Sequence, residues 1–260
     1  MKRITQLKDE ALEALDGNFG RAAVSILVYF LITCFIAVSI NTIAGTDMLE
    51  YYRAILDNDF NGMMDAMGDN AYVSLIQFLI SIFFSVPLSL GVVNSFRVLL
   101  ESKGSNNDLI ANFFKLSFSR HYLHIVLVSF VSGLLIGLMI VPVCVILLIV
   151  ILLFHNAVAT VVFSIATLVY TIWIGLMYSQ IKFIIIDNPK LDIIDTMRRS
   201  RHLMDGSKWR YILLELSFLG WIILGILTLC IGYLWLTPYI NTTEAAFYCD
   251  LRDAEKAVEA

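Results

Sequence analysis

Five stretches of this chain are apolar over the length a helix needs to cross a lipid bilayer, and few folds can accommodate that. They are Ala22–Ala44, Tyr72–Val93, Tyr122–Phe154, Ala157–Ile181 and Tyr211–Ile240. A spanning helix takes about 20 predominantly apolar residues, because the hydrocarbon core is about 30 Å thick. Lipid offers the backbone no hydrogen bonds, so each segment must satisfy its own polar groups, and a helix does so. Composition agrees: 59% of the 260 residues are hydrophobic and 15% charged, with a mean hydropathy of +0.80. A soluble domain carries about 45–50% and about 25%. The chain therefore reads as an all-α, polytopic transmembrane helical bundle, a single integral membrane domain over residues 1–260. The first apolar run follows a mixed-charge stretch, Asp9, Glu10, Glu13 and Asp16, rather than a short basic leader. It is expected to remain as an anchor.

The placement of charge says more than the net charge of −4. Lysine and arginine near span ends favour the cytoplasm, and acids count for little. Lys2, Arg3, Lys8 and Arg21 precede the first run, and Arg97, Lys103, Lys115 and Arg120 follow the second. Lys182, Lys190, Arg198, Arg199, Arg201, Lys208 and Arg210 follow the fourth. The 45–71 segment has Arg53 alone among six acids. The N-terminus and the later basic segments are thus expected inside, and 45–71 outside. Basic flanks on both sides of 122–186 require an even number of crossings there, hence two long ones, with Pro142 the natural place for a bend.

Each basic segment ends alike. Ile4, Leu7, Ala11 and Leu15 form one apolar stripe, as do Leu109, Ile110, Phe113 and Leu116, and Ile193, Ile194, Met197 and Met204. That spacing marks amphipathic helices. The first stops at Asp16-Gly17 and the third at Asp205-Gly206, where glycine suits the left-handed residue that ends a helix. Trp209 and its basic neighbours then suit the headgroup layer. The unit is a cytoplasmic amphipathic surface helix followed by a membrane hairpin, used three times, over 1–100, 101–190 and 191–260. Repeats that start on one face are parallel repeats. In the third, Trp209–Leu227 is one span of about 28 Å at 1.5 Å per residue. A turn near Gly232 then sends Tyr233–Ile240 back, and Asn241–Leu251 must pack against the other hairpins or lie in the inner interface. The competing reading is a single long fifth span with an external tail.

Leu7-Lys8, Ala11 and Leu15-Asp16-Gly17-Asn18-Phe19-Gly20 match an N-terminal motif of one known family. Ser200, Leu203 to Trp209 and Leu216 to Trp221 match its central signature. Leu227 to Gly232, Pro238-Tyr239-Ile240 and Ala246-Phe247-Tyr248 match its C-terminal one. The chain resembles the domain of unknown function 975 family of bacterial integral membrane proteins over essentially its whole length. Cys230 stands where glycine is expected. The resemblance implies a multi-pass protein of a bacterial inner membrane and brings no activity, cofactor or catalytic residue.

Glu215 is the one carboxylate within an otherwise apolar span, and such a group is costly enough to suggest a function. Lys182 lies at similar depth and is expected to pair with it. The plainer reading is an ion pair locking the third hairpin to the second; the other is a substrate or proton site. Asp205, Gly206, Trp209, Gly232 and Pro238 form the candidate turn and interface motif. Gly133-x-x-x-Gly137 and Ser81, Ser85 and Ser89 are stripes suited to close helix packing. Gln77, Asn94, Ser179, Gln180, Asn241 and Thr242 lie mostly near span ends. Met63, Met64 and Met67 fit an amphipathic helix better than a soft-metal site. His121, His124 and His155 do not form a ligand set, and Cys34, Cys144, Cys230 and Cys249 stand singly, so no metal or disulfide is expected. Nothing marks a nucleophile–base pair or phosphate loop. A non-enzymatic protein acting on lipid or protein contacts is expected, without cofactor or nucleic acid. The alternative is a small-solute or ion transporter with a site between the hairpins.

Overall fold

The computed structural model describes residues 1–43, 48–57, 59, 62, 75, 78–105, 108–117, 122–154, 157–228 and 231–259. Every regular element among them is helical. Helices α1 (Ile4–Leu15), α2 (Phe19–Ile43) and α3 (Met48–Leu56) come first. A π-helical turn, Ser81–Ser85, leads into α4 (Val86–Glu101), followed by α5 (Leu109–Ser117), α6 (Tyr122–Phe154) and α7 (Ala157–Tyr178). The remainder comprises α8 (Ile181–Asp187), α9 (Ile193–Leu203), α10 (Lys208–Leu216), α11 (Leu219–Leu227) and α12 (Tyr233–Glu259). Among the described residues five stretches are long and apolar enough to cross a membrane: Phe19–Ser39, Phe78–Glu101, Tyr122–Leu152, Val158–Asp187 and Lys208–Leu227.

Short helices stand at the three apolar stripes, although Ile110 and Ile194 remain exposed. Helix α1 buries Leu7, Ala11, Ala14 and Leu15, and Gly17 behind it takes φ +70°. Helix α9 ends before Gly206, at φ +73°, a conformation that costs a residue with a Cβ and costs glycine little. The segment 118–121, which holds the second entry point, lies outside the described residues, as do Met63, Met64, Met67, Gln77, His155 and Cys230.

Two of the long spans are interrupted, the second of them within a stretch read as one span. The fourth stops at Tyr178 and restarts at Ile181 as α8. Trp209–Leu227 divides into α10 and α11 around Ser217-Phe218. At the second break the Ser217 N–H is shared between the carbonyls of Leu213 and Leu214, each at 3.1 Å, and its Oγ donates to Leu214 O at 2.5 Å. That tightens the last turn of α10 and leaves the Ser217 carbonyl for the ammonium of Lys8, 3.3 Å away on α1. At Pro142, the expected place for a bend, α6 keeps its helical assignment. The ring costs one hydrogen bond out of a 33-residue ladder and sits on an exposed side.

The chain reverses after α11. Gly232 N donates to Thr228 Oγ1 at 3.0 Å, and a Cβ at Gly232 would lie 3.2 Å from the Gly225 Cα. Helix α12 then returns antiparallel to α11 and α10, fixed by a ladder of contacts. Tyr233 OH reaches Ile222 O at 3.4 Å, Tyr239 meets Phe218 at 5.3 Å between ring centroids, and Phe247 meets Tyr211 at 5.2 Å. Asp250 Oδ2 lies 2.6 Å from Arg210.

The core lies toward the end of the bundle that holds the chain termini. Its larger part gathers Leu7, Phe183, Ile184, Met204, Leu214, Phe218, Phe247 and Tyr248, and a smaller part gathers Leu15, Phe96, Leu99, Leu109 and Phe113. Asn241–Leu251 is thus packed rather than lipid-facing, and Ala245 and Ala246 let α12 approach closely. Apolar side chains of α6 and α7 such as Leu138, Leu148 and Val162 remain exposed, as a lipid-facing surface requires. Among the described residues nothing lies within 4 Å of the Cβ positions of Gly133 and Gly137, so the stripe packs against none of them.

Candidate functional site

The buried polar centre of the molecule is built by α8, α10 and α12. Helix α8 supplies Lys182 directly after the 179–180 break. Helix α10 supplies Tyr211 and, one turn later, Glu215, just before the 217–218 break. Helix α12 supplies Glu244. Lys182 Nζ lies 2.5 Å from Glu244 Oε2, and Tyr211 OH donates to Glu244 Oε1 at 3.2 Å. Glu244 is 9% exposed. Glu215 faces Glu244, Tyr211 and Lys182, and its buried Oε1 has no hydrogen-bond partner among the described residues.

Lys182 and Glu215 thus belong to one cluster, but the ion-pair partner of the lysine is Glu244 rather than Glu215. Equal depth does not decide which carboxylate is nearer; the approach of α12 places Glu244 in between. Sequence reading missed Glu244 and Tyr211. Tyr211 precedes Glu215 by four residues, the spacing at which helical side chains are neighbours. Glu244 has no such local signal, since its partner Lys182 stands 62 residues away.

Lys8 of α1 lies beside the 217–218 break rather than in the cluster, its ammonium 4.3 Å above the Phe218 ring. Burial holds that ammonium below its usual titration range.

A belt of ion pairs lies beyond the cluster toward the chain end. Arg97 and Arg252 both bind Asp187, Arg252 also reaches Glu101 at 3.1 Å, and Tyr248 OH donates to Asp187 Oδ2 at 2.5 Å. Lys2 N donates to Asp250 Oδ1 at 3.0 Å, and Arg199 meets Glu255 at 3.2 Å. Cys249 lies within this belt, and burial pushes its thiol up to about 11.

The turn and interface residues take other roles. Asp205 is exposed, 3.9 Å from Lys208, and Lys208 lies 4.4 Å over the Trp173 ring. Trp209 is 69% exposed. Pro238 is buried inside α12, and its carbonyl accepts from Thr242 Oγ1 at 2.8 Å. Several of the other polar candidates satisfy nearby groups: Asn94 bonds Asn112 O, Ser179 bonds Leu176 O and Asn241 bonds Thr237 O. His124 bonds Leu191 O at 3.2 Å. Among the described residues no three His, Cys, Asp or Glu side chains gather as a metal site would require.

Two open apolar grooves flank the returning helix. One, about 500 Å³, is lined by Leu12, Phe19, Trp221, Leu224, Gly225 and Trp235 among others. The other, about 600 Å³, lies between α2, α4 and α12, against Ile26, Phe30, Val92, Leu234 and Thr237.

The family described as protein of unknown function (DUF975) matches residues 1–255. No curated protein and no solved structure matches the chain.

Proposed function

Because the chain belongs to the family described as protein of unknown function (DUF975), which assigns no activity, we propose a function from geometry: a non-enzymatic, multi-pass membrane protein that acts by holding lipid. The observation that carries this reading is the pair of apolar grooves on either side of α12. Both lie along segments that read as membrane-embedded, and their volumes, about 500 and 600 Å³, fall in the range of small-molecule pockets. Lipid tails are the ligand available at that depth.

The same reading takes the bundle as three hairpins, each led by a surface helix, in the inner membrane of a bacterium with both termini cytoplasmic. Basic segments favour the inner face, and the bonds from Lys2, Arg199 and Arg210 to α12 support placing the chain end beside its start. Basic surface helices also suit an anionic inner leaflet.

A photo-crosslinking amino acid at Leu234 or Trp235 tests the proposal. Crosslinks to phospholipid acyl chains are expected to survive detergent purification at both positions and to fail at Phe35, which is 74% exposed on an open face. Thr237→Trp, which fills the second groove, should abolish the crosslink at Leu234. Equal crosslinking at Phe35 would reduce the grooves to ordinary bilayer contact.

Transport of a small solute or ion is the second reading. It draws on the two helix breaks beside a buried charged cluster, since discontinuous helices often surround transport sites. Uptake into liposomes that is lost in Glu215→Gln would favour it.

A further inference from the structure

The cluster joining α8, α10 and α12 holds one base and two acids. Lys182 contributes one positive charge, Glu215 and Glu244 contribute two carboxyl groups, and Tyr211 contributes a neutral hydroxyl. The other charged groups of the packed elements are engaged elsewhere: Lys8 of α1 with the Ser217 carbonyl, Arg210 of α10 with Asp250, Arg97 of α4 with Asp187. The cluster is therefore one positive charge short if both acids ionise. A charge left unpaired in an apolar interior is expensive, and such sites neutralise instead.

The hydrogen bonds point the same way. Glu244 accepts from Lys182 on one oxygen and from Tyr211 on the other, as an ionised carboxylate does. Glu215 lies against Glu244 and Tyr211, yet among the described residues its buried Oε1 meets no donor. A buried carboxylate oxygen without a donor, beside a second carboxylate, lacks one hydrogen. Two carboxylates that share a site keep one proton between them.

We propose that Glu215 and Glu244 form a proton-binding site, in which the Glu215 carboxyl carries one proton toward the Glu244 carboxylate that Lys182 and Tyr211 hold in place. The proton comes from bulk water and returns to it. The Lys182 side chain, 32% exposed, marks the side on which the cluster meets solvent. The break at 217–218 adjoins Glu215 and the break at 179–180 adjoins Lys182, so loss of the proton changes the charge balance beside both breaks. The site stands independently of lipid binding in the grooves.

Infrared spectroscopy of the reconstituted protein at neutral pH tests this, since a protonated carboxyl has its own stretch and shifts in heavy water. The wild type should show that band, and Glu215→Gln should remove one carboxyl of intensity. Glu215→Gln keeps the Lys182–Glu244 pair and nearly the same shape, so folding is preserved. Glu244→Gln should also lose the band, because Glu215 then ionises opposite Lys182. Lys182→Met should add a second protonated carboxyl. A wild type without the band, or a band that persists in Glu215→Gln, overturns the proposal. So does a band that vanishes when sodium or potassium is added, which would make the site a cation's.

Discussion

Asp187→Asn tests what holds the last helix down. Asp187 ties Arg97 of α4 and Arg252 of α12 to the end of α8, with side-chain exposures of 11%, 12% and 18% respectively. Asparagine keeps the shape and still accepts from Tyr248, so the substitution removes charge alone. It leaves two guanidinium groups facing Glu101, which is 37% exposed, with Asp253, 66% exposed, as a further partner of Arg252. An exposed ion pair contributes about 0–1 kcal/mol, whereas removing one partner of a buried pair costs about 3–5 kcal/mol. At these exposures the lower end of the buried range applies, about 3 kcal/mol. With 1.4 kcal/mol per factor of ten, local opening of the α12 end should become about a hundredfold more frequent. Cys249 reports that opening, because it lies in the same belt. In a protein with Cys34, Cys144 and Cys230 replaced by alanine, maleimide labelling of Cys249 should accelerate by about that factor. A rate equal to the parent's would show that the belt contributes no more than surface ion pairs do.

Gly232→Ala places a methyl 2.7 Å from Thr228 Oγ1 and 3.2 Å from the Gly225 Cα. The backbone cannot yield as a flexible side chain would, so a loss of about 1–3 kcal/mol is expected, read by thermal unfolding in detergent. The Cys249 thiol holds its proton to about pH 11 when folded and, at its ordinary value of 9.0, loses it earlier when unfolded. Its contribution to stability is therefore complete below about pH 9 and lost as pH climbs through about 11. A Cys249→Ala variant should show a flatter stability profile across that window. Cysteines placed at Asp57 and Ser105 in a cysteine-free protein should label from outside and inside the cell respectively. The reverse pattern would invert the orientation.

Local signals in the sequence determined a large part of this fold. The stripe of Ile4, Leu7, Ala11 and Leu15 ends as a helix at Leu15 because Asp16-Gly17 can leave helical geometry cheaply, and Asp205-Gly206 behaves alike. Thr228 and Gly232 specify the reversal, since one offers a hydroxyl and the other the only backbone slim enough to approach Gly225. The long apolar runs determined helices long and apolar enough to cross a membrane, because lipid would leave the backbone no other partner. Tertiary structure alone decided which side chains meet. Glu215 and Lys182 were legible as isolated charges in apolar surroundings, but the choice of Glu244 as the lysine's partner depended on how deeply α12 settles between α8 and α10. The break at Ser217 was equally hidden. Serine is compatible with a helix, and it becomes a break here because Lys8, 209 residues earlier in the chain, arrives to take the freed carbonyl. Periodicity describes one helix at a time, whereas a buried cluster belongs to three.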